Sequence, residues 1–133
     1  MTPISRDQAW SLLTEWVSSE SLRRHCLAVE ASMRACARAN GQDEELWGVV
    51  GLLHDMDYER FPDLETGHPR MAIAELESRD VDPVITRAIA SHADAMGVSR
   101  DSPGDGGDLP TRPSIGRTIR LRHERLPHAQ QLH

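Results

Sequence analysis

Apolar residues recur at helical intervals through the first hundred positions, and Ser, Asp, Gly and Pro mark where each run starts and stops. Ser5 is placed to cap a helix reaching about Val17, with Trp10, Leu13 and Val17 on one side. Ser19 or Ser21 opens a second helix that stops at Asn40-Gly41. Its stripe is Leu22, Cys26, Val29, Met33 and Cys36, and His25 borders the buried side. Asp43 caps a third helix in which Leu46, Trp47, Val49, Val50, Leu52 and Leu53 leave almost no polar face. Such a helix belongs in the middle of a bundle. Gly48 and Gly51 weaken it as a helix and predict close approach by a neighbour.

Tyr58-Glu59-Arg60-Phe61-Pro62 breaks the pattern, because Pro62 cannot continue a helix. After Glu65-Thr66-Gly67, His68-Pro69 signals a fourth helix through about Ser78, with Pro69 at its first position and His68 as its cap. Asp82-Pro83 repeats the signal and opens a fifth, where Ile85, Ala88, Ile89 and His92 share a face. Strand signals are weak throughout. The expectation is an all-α bundle of about five helices over residues 1–100. Beyond Arg100 the pattern fades. Ser102-Pro103-Gly104-Asp105-Gly106-Gly107-Asp108 is turn-rich, and the arginine-rich chain after Leu109 shows only scattered apolar residues. Residues 101–133 are therefore expected to form an irregular, flexible tail.

Composition narrows the choice of partners. The length of 133 residues suits one domain. A formal charge of −6 argues against a nucleic-acid backbone as main partner. A small phosphorylated substrate stays open, since it needs only a local cation. No apolar run is long enough for a bilayer, and the start lacks an apolar signal region. The expected setting is cytoplasmic, without a membrane, and a homo-oligomer is left open. Cys26 and Cys36 lie on one helix about 15 Å apart, too far for a disulfide. The chain contains no lysine, a bias that points to a gene rich in G and C.

Five polar residues fall at helix ends or on core-facing sides: His25, His54, Asp55, His68 and His92. Each has a plain reading. His25 suits a hydrogen-bonded core histidine, His68 a cap, His92 a partner of the helix dipole, and Asp55 a solvated loop acid. Together they form an imidazole and carboxylate set suited to one or two divalent ions, Mn, Fe, Zn, Ni or Co, with Mg at carboxylate-rich sites. His54 and Asp55 are neighbours, which on a helix point about 100° apart. They can serve one ion only where the helix ends and the backbone re-aims the second side chain. Asp57 and Asp94 are weaker candidates, as hydrogen-bond partners that orient ligating imidazoles or as solvated acids.

Four segments carry a family resemblance: Ser21-Leu22-Arg23-Arg24-His25, Gly51-Leu52-Leu53-His54-Asp55-Met56-Asp57-Tyr58, Gly67-His68-Pro69 and Ala90-Ser91-His92-Ala93-Asp94. Residues 22–100 resemble the HD-domain metal-dependent phosphohydrolase superfamily, in particular its small bacterial HDIG-type hydrolases. The resemblance implies an all-α bundle in which His25, His54 and Asp55 ligate a metal. His68 and His92 join them in members with two ions. The implied chemistry is metal-assisted hydrolysis of a phosphate ester, often a nucleotide, with His54 and Asp55 at the reacting centre. Arg60, Arg70 and Arg100 are candidates to hold the phosphate.

The resemblance also leads one to expect a last aspartate ligand, in a run like Asp-Glu-Leu-Ser-Gly-Phe. The chain instead reads Gly116-Arg117-Thr118-Ile119-Arg120-Leu121-Arg122-His123-Glu124-Arg125-Leu126. Back-translated with permitted codons and read one base later, this stretch yields Asp-Glu-Leu-Ser-Gly-Phe-Val-Met-Ser-Ala-Cys. A shifted reading frame is the hypothesis this motivates, and different codons in the gene would remove it. The tail is otherwise a natural disordered one. On either account the expectation is a missing ligand, a missing covering helix, weak metal binding and reduced activity. The spacing of His123 and His128 gives no reason to expect them as replacements. Two readings compete with the hydrolase: a non-catalytic regulatory or degenerate HD-type module, and a nucleic-acid binder using the basic tail.

Overall fold

The computed structural model describes residues 4–63, 65–92 and 115–125. Among them are six helices and no strand: α1 (Arg6–Trp16), α2 (Glu20–Ala39), α3 (Glu44–Leu53), α4 (Arg70–Ser78), α5 (Pro83–Ser91) and α6 (Ile115–Arg125). The all-α class follows. The starts of α1, α2, α3 and α5 have a common local cause. The side chains of Ser5, Ser19, Asp43 and Asp82 each accept a backbone N–H from the first turn. At α1 the arrangement is reciprocal, since Gln8 also accepts from the Ser5 backbone.

The α2–α3 pair is the most extensive contact in the bundle. Leu22, Cys26, Val29 and Met33 of α2 are fully buried, as are Val50, Leu52 and Leu53 of α3. Gly51 permits this closeness. A Cβ there would stand 3.0 Å from both the Glu30 backbone N and Cα. Glu30, buried on α2, is satisfied by the guanidinium groups of Arg6 and Arg34 at 3.0–3.2 Å. Cys26 and Cys36 are free thiols, and burial pushes the Cys26 thiol well up.

Two expectations need correction. The fourth helix begins one residue later than the His68-Pro69 signal suggested. Pro69 is its cap residue, the His68–Pro69 peptide is cis, and His68 precedes the helix. Pro69 offers no capping side chain, and Asp57 supplies the oxygen instead, accepting from Ala72 N at 2.8 Å. The second correction concerns the segment expected to be irregular, which contains α6. Ile115, Thr118 and Ile119 are buried, and α6 packs on α5 and α2. The core is therefore covered where an exposed apolar face was expected. No helix among the described residues is long and apolar enough to cross a membrane. Asp94, Arg100 and His128 lie outside the described residues.

Candidate metal centre

The helix that carries His54 ends one residue before it. Leu53 is the last residue of α3, and the chain continues in tight turns with Met56 N to Leu53 O and Tyr58 N to Asp55 O bonds. These bonds span three residues rather than four, so they wind the backbone more tightly than an α-helix. The change brings two adjacent side chains to one point: His54 Nε2 lies 3.2 Å from Asp55 Oδ2. Glu59 pins the following stretch to the start of α2 by accepting from Ser18 N and Ser19 N.

Asp55 is fully buried, and its two oxygens face different histidines. Oδ2 lies 3.1 Å from His25 Nε2, 3.2 Å from His54 Nε2 and 3.4 Å from His123 Nδ1. Oδ1 lies 3.2 Å from His68 Nε2 and 3.6 Å from His92 Nε2. The side chains of His25, His54, His68 and His92 are 5% exposed or less, and that of His123 is 25% exposed. Two groups of potential ligand atoms result: His25, His54, Asp55 and His123, and Asp55, His68 and His92.

The outer edges of three rings determine what the inner edges can do. His54 and His92 follow the last residues of α3 and α5, where helix carbonyls have lost their partners. Each ring turns back and donates Nδ1–H to the carbonyl three residues earlier, Gly51 O and Ile89 O. A carbonyl only accepts, so the proton must be on Nδ1 and the Nε2 lone pair points into the cluster. His68 donates Nδ1–H to Asp57 Oδ1 at 2.7 Å, an arrangement that orients a ligating imidazole and raises its basicity. His92 Nε2 is buried without a hydrogen-bond partner among the described residues.

Electrostatics separates the rings. Burial pushes the His54 pKa down to about 3, outweighing the attraction of Asp55. Burial likewise lowers His92. At His68 burial also opposes charge, but hydrogen bonds to Asp55 and Asp57 overcome it and raise the pKa to about 9. Buried imidazoles aimed at a shared carboxylate are a donor set suited to a divalent cation once His68 has given up its proton, and nitrogen with carboxylate oxygen suits first-row ions. The residues present therefore fit a metal.

The sequence-expected ligands His25, His54, Asp55, His68 and His92 are brought together. Asp57 stands behind His68. Arg60 is not brought to the cluster: its guanidinium donates to Glu15 O at 2.8 Å and lies over the Trp16 ring. Arg70 is the first residue of α4, two positions after His68. Two residues on α6 were not among the expected site residues: His123, set aside on spacing, and Arg120, not considered. His123 enters the cluster, contrary to expectation. Arg120 donates to the His92 carbonyl at 2.8 Å, which puts a cation at its rim. A signal existed, since Ile115, Ile119 and His123 are spaced by four on one face.

No curated protein and no solved structure matches the chain. A family model described as HD domain matches residues 22–129, a span that includes His25, the His54-Asp55 pair, His68, His92 and α6. With a match over most of its length, and with a buried His-Asp cluster that could hold metal, the chain belongs to the HD domain family.

Proposed function

We propose that this chain is a metal-dependent phosphohydrolase acting on a small phosphate ester, with a nucleotide as one candidate. The observation that carries the reading is the division of Asp55, whose two carboxylate oxygens face separate histidine sets. One carboxylate can thereby serve two cation positions. His25, His54, Asp55 and His123 would hold the first, and Asp55, His68 and His92 the second. A divalent ion bound there would polarise a phosphoryl oxygen and lower the pKa of water enough for attack near neutral pH.

The chain's own groups do the rest. Asp55 fixes the relative position of the two histidine sets and supplies the negative charge that cations need. Asp57 holds the His68 ring with Nε2 facing inward. The carbonyls of Gly51 and Ile89 do the same for His54 and His92. Burial keeps His54 neutral and available for ligation. Arg70, two positions after His68, and Arg120, beside the His92 carbonyl, are the candidates to meet the substrate phosphate.

The test is phosphate release from a panel of phosphomonoesters and nucleotides. The purified chain would be stripped of metal and reloaded with Mn, Fe, Co, Ni, Zn or Mg. Turnover should require the ion and vanish in His54→Ala and Asp55→Ala. One observation favours the competing reading of a non-catalytic metal-holding module: every cluster residue except His123 is almost fully buried. Stoichiometric metal without turnover of any phosphate ester would support that module and overturn the hydrolase.

A further inference from the structure

Backbone bonds close the chain between Asp57 and His68 on itself. Phe61 N donates to Asp57 O, Gly67 N to Asp63 O and His68 N to Phe61 O, each at 2.8 Å. Asp57 thereby meets His68 along two routes. Its Oδ1 accepts from the His68 ring at 2.7 Å, and its carbonyl is joined through Phe61 to the His68 backbone. Residues 59–63, 65 and 66 are exposed, whereas Gly67 and His68 are buried. The loop projects outward while its closing end is pressed into the protein.

Gly67 stands at the closing point. A Cβ there would lie 2.5 Å from Phe61 O, 2.8 Å from Phe61 Cβ and 2.9 Å from Asp63 O. Those two oxygens are the acceptors for the His68 and Gly67 N–H groups. A flexible side chain could swing clear of a methyl group, but a carbonyl can do so only by giving up the bond it accepts. The left-handed backbone is not what calls for glycine here, since among the described residues Gly41 is the glycine with positive φ. The call is for close approach of one backbone to another.

We propose that Gly67 is a positioning residue for the cation position of Asp55, His68 and His92. Its missing side chain lets the loop close, and the closed loop sets His68 Nε2 3.2 Å from Asp55 Oδ1. This rests on the metal reading above and adds to it a residue that touches no ion. A methyl group at 67 must open the Phe61–His68 bond, the Asp63–Gly67 bond or both. The His68 backbone then shifts relative to Asp57, which stands at the turn after α3. A ring held at 2.7 Å on one edge and 3.2 Å on the other has no slack to absorb that shift. His25 and His54 reach Asp55 Oδ2 from α2 and from the end of α3, so their position should survive the change.

The test compares full-length wild type, Gly67→Ala and Leu13→Ala. Leu13 is fully buried on α1, so its truncation loosens the core without touching the loop. The first readout is ¹H–¹⁵N NMR of the histidine rings in the ion-free chain. The His68 Nδ1–H, buried against Asp57, should give a slowly exchanging downfield resonance, assigned by its loss in His68→Ala. The second readout is competition titration with Zn²⁺, resolving the first ion from the second. Gly67→Ala should lose the resonance and bind the second ion more weakly by about 10–100-fold, as when a ligand loses its outer partner, with the first ion held as in wild type. Leu13→Ala should keep the resonance and both ions. An unchanged Gly67→Ala, equal weakening of both ions, or the same losses in Leu13→Ala would overturn the role of Gly67 and leave the metal reading standing. If wild type binds fewer than two ions, the two-position reading falls and the resonance alone decides: survival in Gly67→Ala overturns the proposal, and loss there with retention in Leu13→Ala upholds it. If circular dichroism shows that Gly67→Ala does not fold, amide exchange in wild type decides. The Gly67 and His68 N–H groups should exchange at least about tenfold more slowly than in an unstructured peptide, and exchange at the peptide rate would overturn the closure.

Discussion

Asp57→Asn separates two jobs that one buried carboxylate performs. Asp57 Oδ1 accepts from His68 Nδ1 at 2.7 Å, and Oδ2 accepts from Ala72 N at 2.8 Å. Both partners are donors. Asparagine has one acceptor oxygen, so its amide NH₂ must face one of the two buried donors. Leaving one buried donor unsatisfied costs about 1–3 kcal/mol. With a urea slope of about 1–3 kcal/mol per molar, the unfolding midpoint of the ion-free chain should fall by roughly 1 M. The loss of negative charge also removes the orientation and basicity that Asp57 imparts to His68. Removing such an outer partner weakens metal binding by about 10–100-fold, or about 1.4–2.8 kcal/mol. Competition titration should assign that loss to the second ion, leaving the first near its wild-type affinity. In a His68→Ala background Asp57→Asn should no longer affect metal binding, and its stability cost should shrink as well, because the single amide oxygen can then face Ala72 N. Wild-type affinity for both ions in Asp57→Asn, with the fold intact, would refute the claim that Asp57 acts through His68.

Three further outcomes follow from the same contacts. Gly51→Ala pushes a methyl group against the Glu30 backbone at 3.0 Å, which cannot rotate away; overpacking of this kind should cost about 1–3 kcal/mol in urea unfolding, and an unchanged midpoint would contradict the close α2–α3 approach. Ile119→Ala removes a fully buried anchor of α6 and should cost about 2–5 kcal/mol; trypsin should then cut at Arg117, Arg120 or Arg122 faster than in wild type, and equal cutting rates would show that α6 is not held by this residue. The pH dependence has two opposing parts. His54, lowered to about 3, and His92, also lowered, favour the folded state when neutral, so the ion-free protein loses stability as pH falls below the ordinary histidine value of 6.5. His68, raised to about 9, stabilises the fold when protonated, fully below 6.5, and that contribution disappears as pH rises toward 9. The ion-free Tm should therefore peak near 6.5, and a Tm rising steadily to pH 9 would contradict the His68 assignment. Because ligation at His68 Nε2 must displace a proton, affinity for the second ion should fall about tenfold for each pH unit below 9.

The parts of the fold that could be read in advance share a physical cause, and so do the parts that could not. Helices α1, α2, α3 and α5 advertise themselves through a capping oxygen and an apolar stripe, both local in sequence. The His54-Asp55 convergence was readable because Pro62 demands that the helix stop, and only a stopped helix lets neighbours share a target. The α4 start was misplaced by one residue because the preference for proline at a first helical position is local. The oxygen that caps α4 comes instead from Asp57, fifteen residues before Ala72. At α6 the stripe has two apolar members, Ile115 and Ile119, and its third is His123. Counting apolar residues alone misses such a face, since the third member is buried by a donor cluster rather than by a core. Its contact with His54 spans 69 residues of chain and leaves no local trace. The search for a last ligand also asked for a residue type, an aspartate, where the site asks for a donor atom two bonds from Cβ. Histidine meets that demand through Nδ1. A histidine in the cluster thus offers a donor of the same reach as an aspartate without its negative charge, which sequence matching by residue type cannot anticipate.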